Sequence, residues 1–526
     1  MAILGAAVGV GLAIAPGVAS AQVTAFKQAV AETGARDDAI AAFYRGQNFE
    51  AIWTGADDTH MARRAALLSA LRSAGDHGLP VARYDVDALE RRMATARTPR
   101  DLGALEVEMT QMFLRYARDI QSGALVPSRV VSGIKREIEY TDPATLLAGL
   151  LRAQPASYLR DLAPRTVEYT ALMKQKMLLK EKMEQGGWGP SVNASKLEPG
   201  DTGPAVIALR NRLMTMGYLP RSNARSYDSA MSEAVRAFQA AHGLEIDGVA
   251  GTGTIGELNE PIEKRLQSVL VAMERERWLH KKRGERHILV NIPDFTAKIV
   301  DNGQITFETR SVVGANREDR PTPEFSDEMD HMVINPSWYV PRSIVVNEYL
   351  PALKRNPNAV SHIQITDRRG RVVNRSAANF AGYTARTFPF SMRQPPSRSN
   401  ALGLVKFMFP NKYNIYLHDT PAKSLFSREV RAFSHGCVRL NDPFDFAYAL
   451  LGRQEADPEA FFQRKLRGGA ETRVNLETPV PVHIIYRTAY TDARGKLNFR
   501  RDVYGRDAAI WAALRKAGVE LPGVQG

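Results

Sequence analysis

Ser434-His435-Gly436-Cys437-Val438-Arg439-Leu440 contains the only cysteine among 526 residues. A protonated thiol is a poor nucleophile, with a free pKa of about 8.5, so a working cysteine needs a base or a cation beside it. His435 stands two positions before the thiol. A second histidine lies seventeen residues before His435, in Asn414-Ile415-Tyr416-Leu417-His418-Asp419-Thr420, where it closes an apolar run that alternates like a strand. The two histidines can supply a base and a donor. Gly436 leaves the backbone unencumbered, so the N–H groups of His435, Gly436 and Cys437 are candidates for facing a developing oxyanion. A lone cysteine is more often a small buried hydrophobe. Histidine and glycine, however, are not natural neighbours in a packed strand, and they favour a chemical role.

His418-Asp419-Thr420 together with Ser434 to Arg439 resembles the active-site signature of YkuD-type L,D-transpeptidases, which use a cysteine to cross-link peptidoglycan stem peptides. The resemblance implies that Cys437 attacks the carbonyl of the third residue of a tetrapeptide stem, and that an acceptor amine resolves the thioester into a 3-3 cross-link. It implies His418 as general base, His435 as a residue that orients the loop or assists proton transfer, and Gly436 as part of the oxyanion hole. Trp338, Tyr416, Thr420 and Arg439 are the substrate-binding candidates; Arg439 either holds a substrate carboxylate or pairs with an acid of its own. An outer-membrane protein is a candidate alternative acceptor. No cofactor or metal is expected, and carbapenems are expected to acylate the thiol. Two other classes are open. His418, Asp419, His435 and Cys437 include the ligand types of a zinc peptidase, without helically spaced partners. A non-catalytic peptidoglycan-binding scaffold would leave the work to the N-terminal half.

Composition is ordinary for a globular protein, with 44% hydrophobic and 24% charged residues. The formal charge of +13 asks for an anionic partner. The basic residues are dispersed, and the densest run, His280 to Arg286, lacks interleaved aromatics, which argues against nucleic acid. Residues 1–21 read as an export signal: an apolar run of small residues ends in Ala19-Ser20-Ala21. No Lys or Arg precedes that run, and a retained membrane anchor is the rival reading. The expected location is the periplasm. One cysteine rules out an intrachain disulfide.

The expected fold is multidomain α+β. A helical scaffold domain (22–195) carries apolar stripes at Met61, Ala65, Leu68 and Leu71, at Met109, Met112, Phe113 and Tyr116, and at Leu172, Met173, Met177 and Leu178. Its Phe43-Tyr44 to Ile52-Trp53 and Phe113 to Asp119 stretches resemble the N-terminal region of larger, YcbB-like members of the family. After the break at Gly186-Gly187-Trp188-Gly189-Pro190, a small three-helix module follows (196–262). Its Ala234-Val235-Arg236-Ala237-Phe238-Gln239 and Asp247-Gly248-Val249 resemble a peptidoglycan-binding module. A linker helix (263–283) leads to a mostly-β, sandwich-like catalytic domain (284–505) and a C-terminal tail (506–526). In the catalytic domain Asn302-Gly303 marks a hairpin, and strands are expected at 287–291, 297–300, 405–409, 415–418, 482–490 and 496–500. The irregular insertion 342–400 is expected to act as a lid.

Overall fold

The computed structural model describes residues 16–279, 283–317 and 319–521, with side chains from Thr24 onward. Most of the expected export signal, residues 1–15, lies outside that range. Pro16 already opens a helix, α1 (Pro16–Gly34). No helix among the described residues is long and apolar enough to cross a membrane.

The scaffold continues through α2 (Asp38–Gly46), α3 (Asp58–Arg72), α4 (Val86–Thr95), α5 (Pro99–Ser122), α6 (Pro127–Val130), α7 (Pro143–Arg152), α8 (Pro155–Asp161) and α9 (Val167–Glu184). The longest of these, α5, starts in a capping box: Thr98 accepts from the Asp101 N–H, Asp101 reaches back to the Thr98 N–H, and Pro99 fills the first turn. Its face of Met109, Phe113 and Tyr116 is buried, as the spacing predicts. Two other stripes sit differently. Met177 and Leu178 are 61% and 46% exposed, because α9 packs through Leu172, Leu179 and Met183. Met61 is exposed at the start of α3, where Leu67, Leu68 and Leu71 form the buried face.

Positive φ at Gly186, Gly187 and Gly189 turns the chain out of α9. The module is α10 (Pro204–Thr215), α11 (Ser229–His242) and α12 (Thr252–Asn259) around Val206, Leu209, Leu213, Val235 and Phe238. It is docked on the rest of the molecule. The His242 ring stacks between Phe238 and Phe499, and Arg500 donates to the Ala241 carbonyl.

Two segments differ from expectation. The linker helix, α13 (Ile262–Trp278), is a central buried pillar, because it carries charge for its neighbours as well as apolar residues. Arg275 pairs with Glu324 at 2.7 Å and with Asp507 at 2.8 Å, all three almost without solvent. Arg277 pairs with Glu274 and donates to Tyr169 of α9. The C-terminal segment is no loose tail: Arg506–Ala517 forms a helix whose Ile510 and Leu514 join the α13 core.

The C-terminal half contains β1 (Arg286–Asn291), β2 (Thr296–Asp301), β3 (Gln304–Gly314), β4 (Phe325–Ile334), β5 (Trp338–Tyr339), β6 (Gln364–Thr366), β7 (Ser391–Gln394), β8 (Val405–Met408), β9 (Leu417–His418), β10 (Ala432–Ser434), β11 (Val438–Leu440), β12 (Thr472–Ile485), β13 (Ala489–Thr491) and β14 (Leu497–Phe499). Asn302 and Gly303 both take positive φ between β2 and β3, as the hairpin requires. The sheet runs β10-β3-β11-β9-β8-β4-β12-β1-β2, and β2 pairs again with β3. The ladder therefore closes on itself instead of forming two facing sheets. The eleven residues of β3 explain the closure: its first part pairs with β2, its last with β11. The single core inside holds Ile288, Val290, Phe407, Leu417 and Val438.

The insertion is also more ordered than an irregular excursion. β5, β7 and β6 form a small sheet over a core of Leu353, Ile363, Ile365 and Phe380. Its helical stretch is continuous from Arg342 to Arg355, with a π-helical turn at Val345–Tyr349.

Candidate active site

β9 and β11 are parallel neighbours, with Leu417 opposite Val438 and His418 opposite Arg439. Leu417 and Val438 are fully buried in the core. Alternation then sends Tyr416 and His418 on one side, and Cys437 and Arg439 on the other, to the opposite face. All four line one cleft of about 950 Å³. The register makes Tyr416 the cross-strand neighbour of Cys437 and His418 that of Arg439, one step along the strand from the thiol.

His418 is buried, and its Nδ1 lies 2.5 Å from the Asp419 carbonyl oxygen. A carbonyl can only accept, so Nδ1 carries the proton and Nε2 keeps its lone pair. Burial, then the Arg439 guanidinium, push the imidazolium down to about 3 against two backbone carbonyls that favour it. Burial pushes the Cys437 thiol up to about 11, opposed by hydrogen bonds from Tyr416 and by Arg439. The resting pair is thus a neutral imidazole and a protonated thiol. Its S–H points at the Asn414 carbonyl, 3.5 Å away.

Tyr416 and Trp338, read from the sequence as substrate-binding, line the cleft and also act on the sulfur. The Trp338 indole hydrogen-bonds to the Tyr416 phenol, which hydrogen-bonds to Cys437; burial, then Cys437, hold that phenol well above the usual tyrosine range. Thr420 lines the cleft, its hydroxyl accepting from the Ala422 N–H. Asp419 does not face His418 with its carboxylate. That group accepts from the Leu404 N–H and from Lys423, each at 2.9 Å, and fastens the ends of the strand.

Gly436 is a correction. Its φ of +114° turns its N–H onto the Ser434 hydroxyl at 3.1 Å, so this amide is not free for an oxyanion. Ser434 Oγ in turn donates to the Cys437 carbonyl, and Thr322 donates to the Gly436 carbonyl at 2.7 Å. The glycine is there to make the turn that presents Cys437. The amides of His435 and Cys437 remain as donors. Arg439 has no ion-pair partner among the described residues, and its Nε is buried without a hydrogen bond.

His435 bonds to the insertion. Its Nε2 lies 2.6 Å from Oε1 of Glu348, a residue of the insertion's π-turn, and Glu348 also takes a 2.7 Å bond from Arg320. The insertion is therefore tied to the loop that carries Cys437, and Ser343, Glu348 and Tyr349 form one wall of the cleft. Glu348, Arg320, Thr322 and Asn414 are site residues that sequence reading missed. Spacing holds no signal for Glu348, 87 residues from His435. Among the described residues, no group of three or more His, Cys, Asp or Glu is placed to hold a metal ion.

Residues 285–482 match the family described as the L,D-transpeptidase catalytic domain, residues 202–258 the "Putative peptidoglycan binding domain", and residues 38–175 the family described as Scaffold domain. The chain thus carries an L,D-transpeptidase domain beside a peptidoglycan-binding-type domain. A "Putative L,D-transpeptidase" of Haemophilus influenzae is 33% identical over 225 residues, 42% of this chain and 45% of that protein, so the match spans about half the relative's length. Crystal structures of L,D-transpeptidases from Xylanimonas cellulosilytica and Stackebrandtia nassauensis align at 16% and 13% identity, with TM-scores of 0.17 and 0.22. Each alignment covers 56% of this chain, and 98% and 96% of theirs respectively; neither superposition is close.

Proposed function

We propose that the protein is a peptidoglycan L,D-transpeptidase of the larger, YcbB-like kind that forms 3-3 cross-links through Cys437. The observation that carries this is the four-residue patch of Tyr416, His418, Cys437 and Arg439 on one face of β9 and β11. As Cys437 Sγ attacks the carbonyl carbon of the third stem residue, His418 Nε2 takes the thiol proton. The amides of His435 and Cys437 receive the oxyanion. The tetrahedral adduct collapses, the bond to the terminal D-Ala nitrogen breaks, and His418 returns its proton to that amine. The acceptor amine then attacks the thioester, gives a proton to His418, and the thiolate leaves and is reprotonated. Because imidazole and thiol are both neutral at rest, proton transfer accompanies attack and no standing ion pair precedes it. Arg439 holds a stem carboxylate, and the insertion, latched through Glu348 and His435, closes over the donor.

The acceptor is a second stem peptide, or the amine of an outer-membrane protein. The module holds the enzyme on the wall, and the setting is the periplasm, reached through residues 1–21 as a signal or an anchor. The test is incubation with disaccharide-tetrapeptides, products read by mass. Wild type releases D-Ala and forms dimers, while Cys437→Ser, with unchanged circular dichroism, does neither. Activity retained in Cys437→Ser would refute the nucleophile. Absence of any acyl-enzyme with intact sacculus binding would leave the scaffold reading.

A further inference from the structure

A second large cleft lies in the scaffold, where α2 and α5 meet the segment 123–146, with a volume of about 980 Å³. Its walls carry Arg36, Arg83, Arg115 and Arg118 against two acids, Asp37 and Asp119. Asp119 is paired internally, and Asp37 is engaged through one carboxylate oxygen. Asp37 caps α2 by accepting from the N–H groups of Ala39 and Ile40. Asp119 takes Arg83 at 2.8 Å and the Tyr84 hydroxyl at 2.9 Å. Arg36, Arg115 and Arg118 are exposed and have no carboxylate partner among the described residues. Arg118 is stacked 4.3 Å over the Tyr140 ring, and that stacking holds the guanidinium fork at the mouth of the cleft.

Three exposed guanidinium groups without carboxylate partners, Arg115 reaching only the Arg83 carbonyl at 3.5 Å, stand beside the apolar residues Ile40, Leu114 and Leu146 and suit a ligand with several carboxylates and small apolar groups. Gln111 and Gln121 on the same wall offer amide donors and acceptors to a peptide backbone. The cleft is also fixed relative to the catalytic domain. Its segment 123–146 bridges to the residue just before β4: the Lys135 N–H donates to the Glu324 carbonyl at 2.8 Å, and the Glu324 N–H donates to the Gly133 carbonyl at 3.0 Å.

We propose that this cleft binds a carboxylate-bearing stem peptide of peptidoglycan, apart from both the catalytic cleft and the 202–258 module, and so keeps a wall strand near the thiol. The proposal rests on the peptidoglycan reading above for the identity of the ligand. A strand held at a second point raises the local concentration of stems at the active site without any change in the chemistry.

The test uses the full chain and sacculus co-sedimentation at low and high salt. Arg115→Glu with Arg118→Glu should weaken binding about tenfold at low salt, from two lost partly exposed pairs plus repulsion. The milder Arg115→Gln with Arg118→Gln should weaken it less, and both should flatten the salt dependence. Arg464→Glu with Arg467→Glu, on an outer helix of the catalytic domain, makes the same charge change and should stay within about twofold. The rate of Cys437 alkylation by iodoacetamide should not move in any of them, which also reports an intact fold. Sacculus binding unchanged in the 115/118 variants, an equal loss in the 464/467 control, or arginine-dependent binding to phosphatidylglycerol vesicles in place of sacculi would overturn the proposal. Failure of the transpeptidase reading appears elsewhere, as absence of thioester and cross-linked product in the wild type.

Discussion

Replacing His418 by Ala separates a neutral imidazole–thiol pair from a preformed ion pair. With the thiol held up at about 11, only about one Cys437 in ten thousand is ionised at pH 7 once the base is gone. Loss of a general base typically costs about 10²- to 10⁴-fold, and the variant should fall within that range near neutrality. Solvent can then supply thiolate as the pH rises, about tenfold per unit. His418→Ala should therefore recover about a hundredfold between pH 7 and 9 and keep climbing, whereas a thiol near 8.5 would level off. The wild type should show the converse. A base whose conjugate acid lies at about 3 is unprotonated throughout the neutral range. Acylation should stay flat down to mildly acidic pH and fall only as the medium approaches 3. The assay is adduct formation on Cys437 with a carbapenem, followed by intact mass from pH 4 to 10 for wild type, His418→Ala and His435→Ala. His435→Ala should lose activity that alkali does not restore, because that ring bonds to Glu348 and serves geometry. A wild-type midpoint near pH 6.5, or a His418→Ala profile without slope, would refute the neutral-pair reasoning. Rescue of His435→Ala alone would exchange the roles of the two histidines, and chelator sensitivity of the wild type would favour a metal site.

Three further outcomes follow from particular contacts. Tyr416→Phe removes a hydrogen bond to the sulfur and should raise the thiol pKa and slow acylation about tenfold, read from the pH dependence of alkylation; an unchanged profile would place the phenol on the substrate alone. Gly436→Ala puts a side chain at φ +114° with its Cβ 3.3 Å from Ile415, and should cost about 1–3 kcal/mol in thermal or denaturant unfolding as well as activity. Deleting residues 196–260 should weaken sacculus binding more than it slows reaction on soluble muropeptides; since the module covers Phe499, a Phe499→Ser partner change keeps the exposed face from confounding the comparison, and equal losses in both assays would make the module a structural part.

Much of this protein was legible in the chain itself, wherever the decisive residues are close in sequence. The thiol, its glycine and two histidines fall within Asn414 to Leu440, and alternation puts Tyr416 with His418 and Cys437 with Arg439; that the two pairs share one cleft came only from the pairing of β9 with β11. The breaks at Gly186-Gly187 and Asn302-Gly303 are backbone chemistry, set by residues that accept positive φ. What folding alone decided depends on long-range partners. Strand β4 shows no period-two apolar run, since Met332 breaks the parity of Phe325 and Met329 and Asp327 stands between those two, and it becomes visible only between β8 and β12. The helix Ile262–Trp278 looks like a connector because Arg275 has no carboxylate partner within it, yet Arg275 finds Glu324 and Asp507 once three parts of the chain converge. The amide of Gly436 could serve an oxyanion or a hydroxyl, and the position of Ser434 settles it. His435 could be a base, until Glu348 arrives from the insertion and takes its Nε2. Local sequence sets which groups are present and which face they share; burial and distant charge set their protonation and their partners, and these exist only in the folded molecule.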